Sequence, residues 1–447
     1  MKRNVPSHGS SPATTRRELL AFTAAAAGAG LLASGCASAT PSAYPATQKQ
    51  KSRGGPKPGE PIRMGVIGIG GPDTPAMGFA HCQRICALAK EGKEQVQIVA
   101  ISDVAQPYLQ RGVELCTKEQ GIEVTGYRDY QQLLARPDLH AVLIASPEHW
   151  HAKMATDAIL AGLDVYLEKP MTLRLEDALA LRAVVHANES IFQVGTQFLQ
   201  HAKYHKAREL IAAGSIGKPI FSQTSYCRNS KDGEWLYKVD PKVVPGPMLD
   251  WQAWCGPQGK ADFDAEVFFR WRRYKRWSTG VIGDLLVHVT TPMVWAIDAG
   301  WPTRVSASGG HFNDLAMENQ DQVNLTVEFE RGHILTIAGS TCNETGVEVM
   351  VRGHKANLYL SGDDCVLRPE RIFAEEIEEQ TFKSPPAGAD QDMHRLHWLD
   401  CIRTRKPAIG DVDTASKVMV IVDLATRSLW NKSAFTFDPT TNAVARA

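Results

Sequence analysis

The sequence predicts an α/β protein with a doubly wound parallel sheet in its first half and a meandering antiparallel sheet in its second. Short apolar, β-rich runs alternate with helix-like segments from Ile62 to Val194, the pattern of repeated βα units. The first of these runs closes on glycines, as a strand does before a phosphate-binding turn. Beyond Trp301, alternating runs follow one another with only turn residues between them. The 447 residues, 43% hydrophobic and 22% charged, suffice for two domains with packed cores. Lys+Arg and Asp+Glu balance at 49 each, so no net positive field draws the chain to nucleic acid or an anionic bilayer. Nine cysteines show neither a CxxC pair nor zinc-ligand spacing, which argues against a disulfide scaffold and against a metal site.

Residues 1–36 read as an export signal. A basic start leads to the Arg16-Arg17 pair, then to a weakly apolar Ala/Gly/Leu run, and finally to Ala33-Ser34-Gly35-Cys36. That order predicts the twin-arginine route and a lipoprotein-like cysteine, hence a periplasmic protein or one anchored to the membrane through a lipid on Cys36. Ala33 stands where the lipoprotein pattern usually has Leu. Residues 37–61, rich in Ser, Ala, Thr, Pro, Lys and Gly, read as a flexible linker. A dinucleotide-binding domain is expected over 62–190 and a substrate and oligomerisation domain over 191–447.

Runs at Ile62 to Gly68, Val96 to Ser102, Ala141 to Ala145, Asp164 to Leu167 and Ile191 to Val194 read as buried parallel strands. His149 to Ala161 and Leu175 to Ala187 read as helices between them. Ligand belongs where such strands end. Gly68, Gly70 and Gly71 let the first turn tighten and admit a pyrophosphate, although six residues intervene before Gly78 and enlarge the turn. Asp103 ends the second strand as the acceptor for ribose hydroxyls. No Arg follows at once to welcome a 2′-phosphate, so NAD is favoured over NADP. A tight turn and an exposed turn Asp are the competing readings.

Further on, Gly280 to Ile297 reads as one helix kinked at Pro292, with Asp284 and His288 as neighbours four residues apart. A carboxylate there orients the imidazole and raises its basicity for taking a hydroxyl proton. The stretch Phe268 to Trp277 interleaves aromatic and basic side chains, and Arg270 and Trp271 are its candidates for holding a sugar. Strands are expected at Val323 to Phe329, His333 to Ala338, Val347 to Val351 and Ala356 to Leu360, and helices at Gln391 to Arg403 and Thr414 to Leu429.

The wording Ile67-Gly68-Ile69-Gly70-Gly71, Ala145-Ser146-Pro147-Glu148-His149-Trp150-His151, Glu168-Lys169-Pro170, Gly195-Thr196-Gln197 and Gly283 to His288 resembles the Gfo/Idh/MocA oxidoreductases. The resemblance runs from Ile62 to the C-terminus. It implies an N-terminal Rossmann domain and a following α+β domain with a large, mostly antiparallel open sheet whose face closes over the nicotinamide. It also implies that Ser146, Pro147, His151, Glu168 and Lys169 contribute to cofactor binding, Glu168 as the ribose-binding acid. Lys169, Asp284 and His288 are then the catalytic candidates, with Lys169 holding a substrate hydroxyl and stabilising oxyanion character. The activity implied is NAD-dependent oxidation of a secondary hydroxyl of a sugar, polyol or related carbohydrate, with the cofactor tightly bound. A redox-neutral glycosidase or lyase working through a transient keto-sugar is the second reading, because an exported enzyme meets no exchanging nicotinamide pool. A non-enzymatic sugar-binding lipoprotein is the third. A homo-oligomer is compatible with each.

Overall fold

The computed structural model describes residues 51–72, 77–385, 388 and 390–447. The expected export signal, with Arg16, Arg17 and Cys36, and the linker as far as residue 50 lie outside the described residues. Residues 51–61 are docked where the sequence predicts a free linker: Arg53 donates from its backbone to Gly162 O at 2.9 Å and from its guanidinium to Leu134 O at 3.1 Å.

The first half is the βα alternation that the patterning predicts. It runs β1 (Ile62–Ile67), α1 (Met77–Lys90), β2 (Val96–Ser102), α2 (Gln106–Gln120), β3 (Thr125–Tyr127), α3 (Tyr130–Leu134), β4 (Ala141–Ile144), α4 (His151–Leu160), β5 (Asp164–Leu167), α5 (Leu175–Ala187) and β6 (Phe192–Val194). The strands pair in parallel in the order β3-β2-β1-β4-β5-β6. β4 and β5 are buried at every residue, as strands covered by helices on both faces must be. The order reverses between β1 and β4, so a crevice opens at their carboxyl ends. Because β6 belongs to this sheet, the parallel unit extends to Val194 rather than stopping at the expected residue 190.

Helix α6 (Ala202–Ala212) leads into β7 (Pro219–Cys227), followed by the short helices α7 (Trp251–Cys255) and α8 (Ala265–Arg270). The predicted Gly280 to Ile297 helix is two pieces, a π-helical turn at Val281–Leu286 and then α9 (Val287–Ile297), which contains Pro292. Strands β8 (Pro302–Gly310), β9 (Gln322–Phe329), β10 (Ile334–Ser340), β11 (Met350–Gly353), β12 (Ala356–Tyr359), β13 (Cys365–Pro369) and β14 (Gln380–Phe382) follow. The chain ends with α10 (Asp390–Thr404), α11 (Val412–Asn431), β15 (Phe435–Asp438) and β16 (Ala443–Arg446). The second sheet has ten strands, ordered β14-β13-β12-β11-β7-β10-β9-β8-β15-β16, and is antiparallel except where β7 meets β10. Alternation along β9 buries Val323, Leu325, Val327 and Phe329 on one face, where α9 and α11 supply the facing apolar side chains. No described helix is long and apolar enough to cross a membrane.

Candidate functional site

A cleft follows the carboxyl ends of β1, β2, β4 and β5 and is roofed by residues from the second half of the chain. Its wall begins at the glycine turn. Gly68 and Gly70 have φ of +83° and +77°, a region that only glycine enters freely. Helix α1 packs so close beneath that a Cβ on Gly78 would lie 1.8 Å from Gly68 O. Gly78 therefore fills the close-packing role despite its displaced position in the sequence. Asp103 also lines the cleft and clamps the turn, one carboxylate oxygen accepting from Ile69 N at 2.7 Å and Gly70 N at 3.2 Å, the other from Ala105 N at 2.8 Å. Burial raises its carboxyl above the usual range even against those three donors.

Ser146 and Pro147, at the end of β4, and Glu168 and Lys169, at the end of β5, line the same cleft. Lys169 precedes a cis peptide to Pro170. Glu168 accepts from its neighbour's backbone N–H at 3.1 Å and from His81 Nε2 at 2.8 Å, while Arg395 of α10 donates to His81 Nδ1 at 2.8 Å. That donation fixes His81 as the neutral Nε2–H tautomer, in keeping with a pKa lowered first by burial. Burial works against the Glu168 carboxylate, but the His81 hydrogen bond and the Lys169 charge hold it below the usual carboxylate range.

Lys169 crosses the cleft floor to the π-helical turn. Its ammonium donates to Asp284 O at 2.8 Å and to Asp284 Oδ1 at 3.0 Å, and Arg272 Nε donates to the same Oδ1 at 2.8 Å. Burial alone would raise Asp284. The two cations overcome it and hold this carboxyl well below the usual range. π-helical turns recur at functional sites because the wider turn re-aims its side chains. Here Gly280, at φ +60°, opens the turn, and Asn319 buttresses it by donating to Arg272 O and Ser278 O.

Three expected roles are corrected by this geometry. The Asp284 carboxylate serves Lys169 and Arg272, and among the described residues it makes no hydrogen bond to His288. Burial first, then the Lys169 charge, lower His288 to about 3, opposite to the basicity expected of an Asp-paired imidazole. Its ring sits half-buried between Phe198 and Tyr226, centroids 5.3 and 5.9 Å away, with Nδ1 unbonded among the described residues. His151 does not face the cofactor cleft: it is 1% exposed, and its ring nitrogens lie 2.6 Å from Pro170 O and 2.8 Å from Ser146 O, so it ties two cleft loops together. Arg270 turns away to Tyr237 O and Glu266, while Trp271 and Arg272 line the cleft.

Sequence reasoning passed over Arg272, Tyr237, His81 and Glu148. An Arg in a run of four, Arg270 to Arg276, carries no sign of which one turns inward. Glu148 lay within the quoted Ser146 to His151 wording, and its burial is what distinguishes it. It is 1% exposed, accepts from Thr279 N at 3.2 Å and leaves Oε2 without a partner among the described residues. Desolvation raises its carboxyl to about 7.

Comparison with known proteins bears on what this cleft holds. Residues 62–196 match the model of the oxidoreductase family's NAD-binding Rossmann fold, and residues 208–436 match that of its C-terminal alpha/beta domain. The chain belongs to the Gfo/Idh/MocA oxidoreductase family. It is an NAD-binding member, and its residues fit the dinucleotide: the two positive-φ glycines and the close approach of α1 at Gly78 form a cradle that a Cβ would fill. An alpha-N-acetylgalactosaminidase of Shewanella oneidensis is 27% identical over 193 residues, 39% of each chain. A glycosyl hydrolase family 109 protein of a Shewanella species (strain ANA-3) is 33% identical over 168 residues, 37% of this chain and 33% of its own length. These alignments thus cover only a third to two-fifths of those relatives. Among solved structures, a levoglucosan dehydrogenase in complex with NADH shares the fold at a TM-score of 0.64 and 17% identity, covering 84% of this chain and 99% of its own. An oxidoreductase domain protein from Kribbella flavida does so at 0.64 and 18%, with the same coverage.

Proposed function

We propose that this oxidoreductase acts on a secondary hydroxyl of a sugar, polyol or related carbohydrate, with Lys169, Asp284 and His288 around the reacting carbon. The observation that carries this reading is the Lys169–Asp284 contact at the floor of the cleft that begins at the glycine turn. Bound NAD supplies hydride acceptance. The Lys169 ammonium, anchored by Asp284 O and Oδ1, points a remaining donor at the substrate oxygen and favours its negative charge as the carbonyl forms. Asp284 stays ionised and keeps that ammonium in place. His288, with Nδ1 unbonded among the described residues, is our candidate to accept the hydroxyl proton, although desolvation and the Lys169 charge make it a weaker base than a free imidazole. Support for carbohydrate comes from similar levoglucosan dehydrogenase structures in complex with levoglucosan and with L-sorbose, and from aromatic side chains on the cleft wall.

A second reading, a redox-neutral glycosidase or lyase, is favoured by the family 109 relatives. Oxidation of one hydroxyl acidifies the neighbouring C–H, the proton and the glycosidic group leave as an alcohol, water adds to the resulting double bond in the glycosidase case, and the hydride returns to the keto carbon. Export through the twin-arginine route, with Cys36 as lipid anchor, belongs to the same proposal because a folded enzyme can carry its cofactor out. The deciding experiment is mass spectrometry of the nucleotide retained by purified protein, followed by its near-ultraviolet absorbance against sugars and aryl glycosides. Net NADH accumulation identifies a dehydrogenase. Aglycone release without it identifies the redox-neutral enzyme. Failure to retain or bind any nicotinamide nucleotide overturns both.

A further inference from the structure

Resting on that carbohydrate reading, we infer that the substrate carries a carboxylate and that Arg272 grips it, making a polyhydroxy acid such as a uronate the preferred class. Three features fix the Arg272 guanidinium before anything binds. Its Nε is held by Asp284 Oδ1 at 2.8 Å, its face lies 4.2 Å over the Trp271 ring, and its backbone carbonyl is held by Asn319. The side chain is only 18% exposed, so it is not a solvated surface arginine. Nη1 and Nη2 have no hydrogen-bond partner among the described residues, and the side chain lines the cleft with Lys169 and Tyr237.

A guanidinium immobilised in this way, with its fork unpaired, matches the two oxygens of a carboxylate. Leaving the fork empty in a low-dielectric cleft forgoes hydrogen bonds that a neutral hydroxyl satisfies one at a time. Lys169 and Arg272 both turn to one carboxylate, Asp284, which engages Arg272 only at Nε, so the guanidinium fork remains for a single carboxylate of the substrate. Lys169 then addresses the hydroxyl to be oxidised while Arg272 fixes the acid end, so the chain sets which carbon meets the nicotinamide.

The test uses NAD-loaded protein, calorimetric titration with D-glucuronate, D-galacturonate, D-glucose, D-galactose and glucose 6-phosphate, and absorbance of bound NADH. The acids should bind about 10- to 100-fold more tightly than the neutral sugars of the same configuration. Arg272→Lys, which keeps the charge and loses the fork, should erase most of that preference, read as the ratio of acid to neutral-sugar affinity in the same NAD-loaded variant. Equal affinity for acid and neutral sugar, preference for the phosphate, or an Arg272→Lys defect confined to NAD binding each overturn the inference. Lys169-dependent oxidation of neutral sugars without acid preference would leave the carbohydrate oxidoreductase standing and remove the role of Arg272. Arg272-dependent acid binding with no redox or cleavage chemistry on any substrate would do the reverse.

Discussion

Lys169, Asp284 and His288 divide the work of one proton and one charge differently from the arrangement their spacing suggested. Asp284 is consumed by two cations, and His288 is held neutral by desolvation and the Lys169 charge rather than paired with a carboxylate. Lys169→Ala and His288→Ala should therefore keep NAD binding while single-turnover hydride transfer falls about 100- to 10,000-fold. Retained turnover in both variants would make the cluster structural. Asp284→Asn should lower the rate by freeing both cations rather than by weakening His288, and a crystal structure of the variant should show Lys169 displaced. Glu148 gives a second prediction at this scale. Its folded pKa, raised to about 7 by burial, exceeds the ordinary 4.5. The native state therefore holds a proton that the unfolded chain has lost, and stability is full below pH 4.5 and declines as pH rises toward 7. Glu148→Gln should flatten that decline, worth about 3 kcal/mol across the window, in denaturant titrations at a series of pH values. An unchanged slope would show that Glu148 does not titrate there.

Among the elements, α1 carries the sharpest local constraint, because Gly78 lets its first turn sit against Gly68 O. A methyl 1.8 Å from a carbonyl oxygen cannot be accommodated without moving the helix from the turn. Gly78→Ala should cost more than the roughly 1 kcal/mol spread of helix propensity, in the direction opposite to propensity, and should abolish nucleotide retention. A normally loaded variant would show that the turn tolerates the shift. The same region shows what was legible in the sequence. Val96–Ser102, Asp164–Leu167 and Leu175–Ala187 fall at their expected bounds because apolar period and turn residues agree there. β7 and β8 escaped because their alternation is diluted by Ser, Thr and Gly, and their pairing is set by distant strands. The π-helical turn was illegible for another reason: Ile282, Leu285, Leu286 and Val289 satisfy an ordinary helical period, and only the contact with Lys169 and Arg272 shows where Asp284 points. The glycines, Asp103 and Lys169 could be found from strand ends. Arg272 could not, since its selection over Arg270 depends on which neighbour supplies a partner.

Across the whole molecule, the second half of the chain reaches back to hold the cofactor side of the site. Helix α10 returns to the edge of the parallel sheet, where His394 Nε2 lies 2.8 Å from Val194 O and Gln193 donates to His394 O at 2.9 Å. Next to it, Arg395 is 2% exposed and donates from Nε to His81 on α1, from Nη1 to Asp392 and from Nη2 to Gln391. His81 passes its one N–H to Glu168, so a residue near the C-terminus sets the orientation of the acid at the end of β5. Arg395→Met removes the guanidinium and keeps much of the volume. It leaves His81 free to adopt the other tautomer, in which Nε2 has no proton to give, and Glu168 then loses its buried donor. Breaking such a buried set by removing one partner costs about 3 kcal/mol or more, and an unfolding titration should show it. The distinguishing readout is cofactor affinity in protein that remains folded. Loss of the Glu168 orientation should weaken NAD binding measurably, and His81→Gln, whose amide can still donate, should recover part of it, whereas His81→Leu should not. Equal NAD affinity in Arg395→Met and wild type would show that Glu168 is held without help from α10.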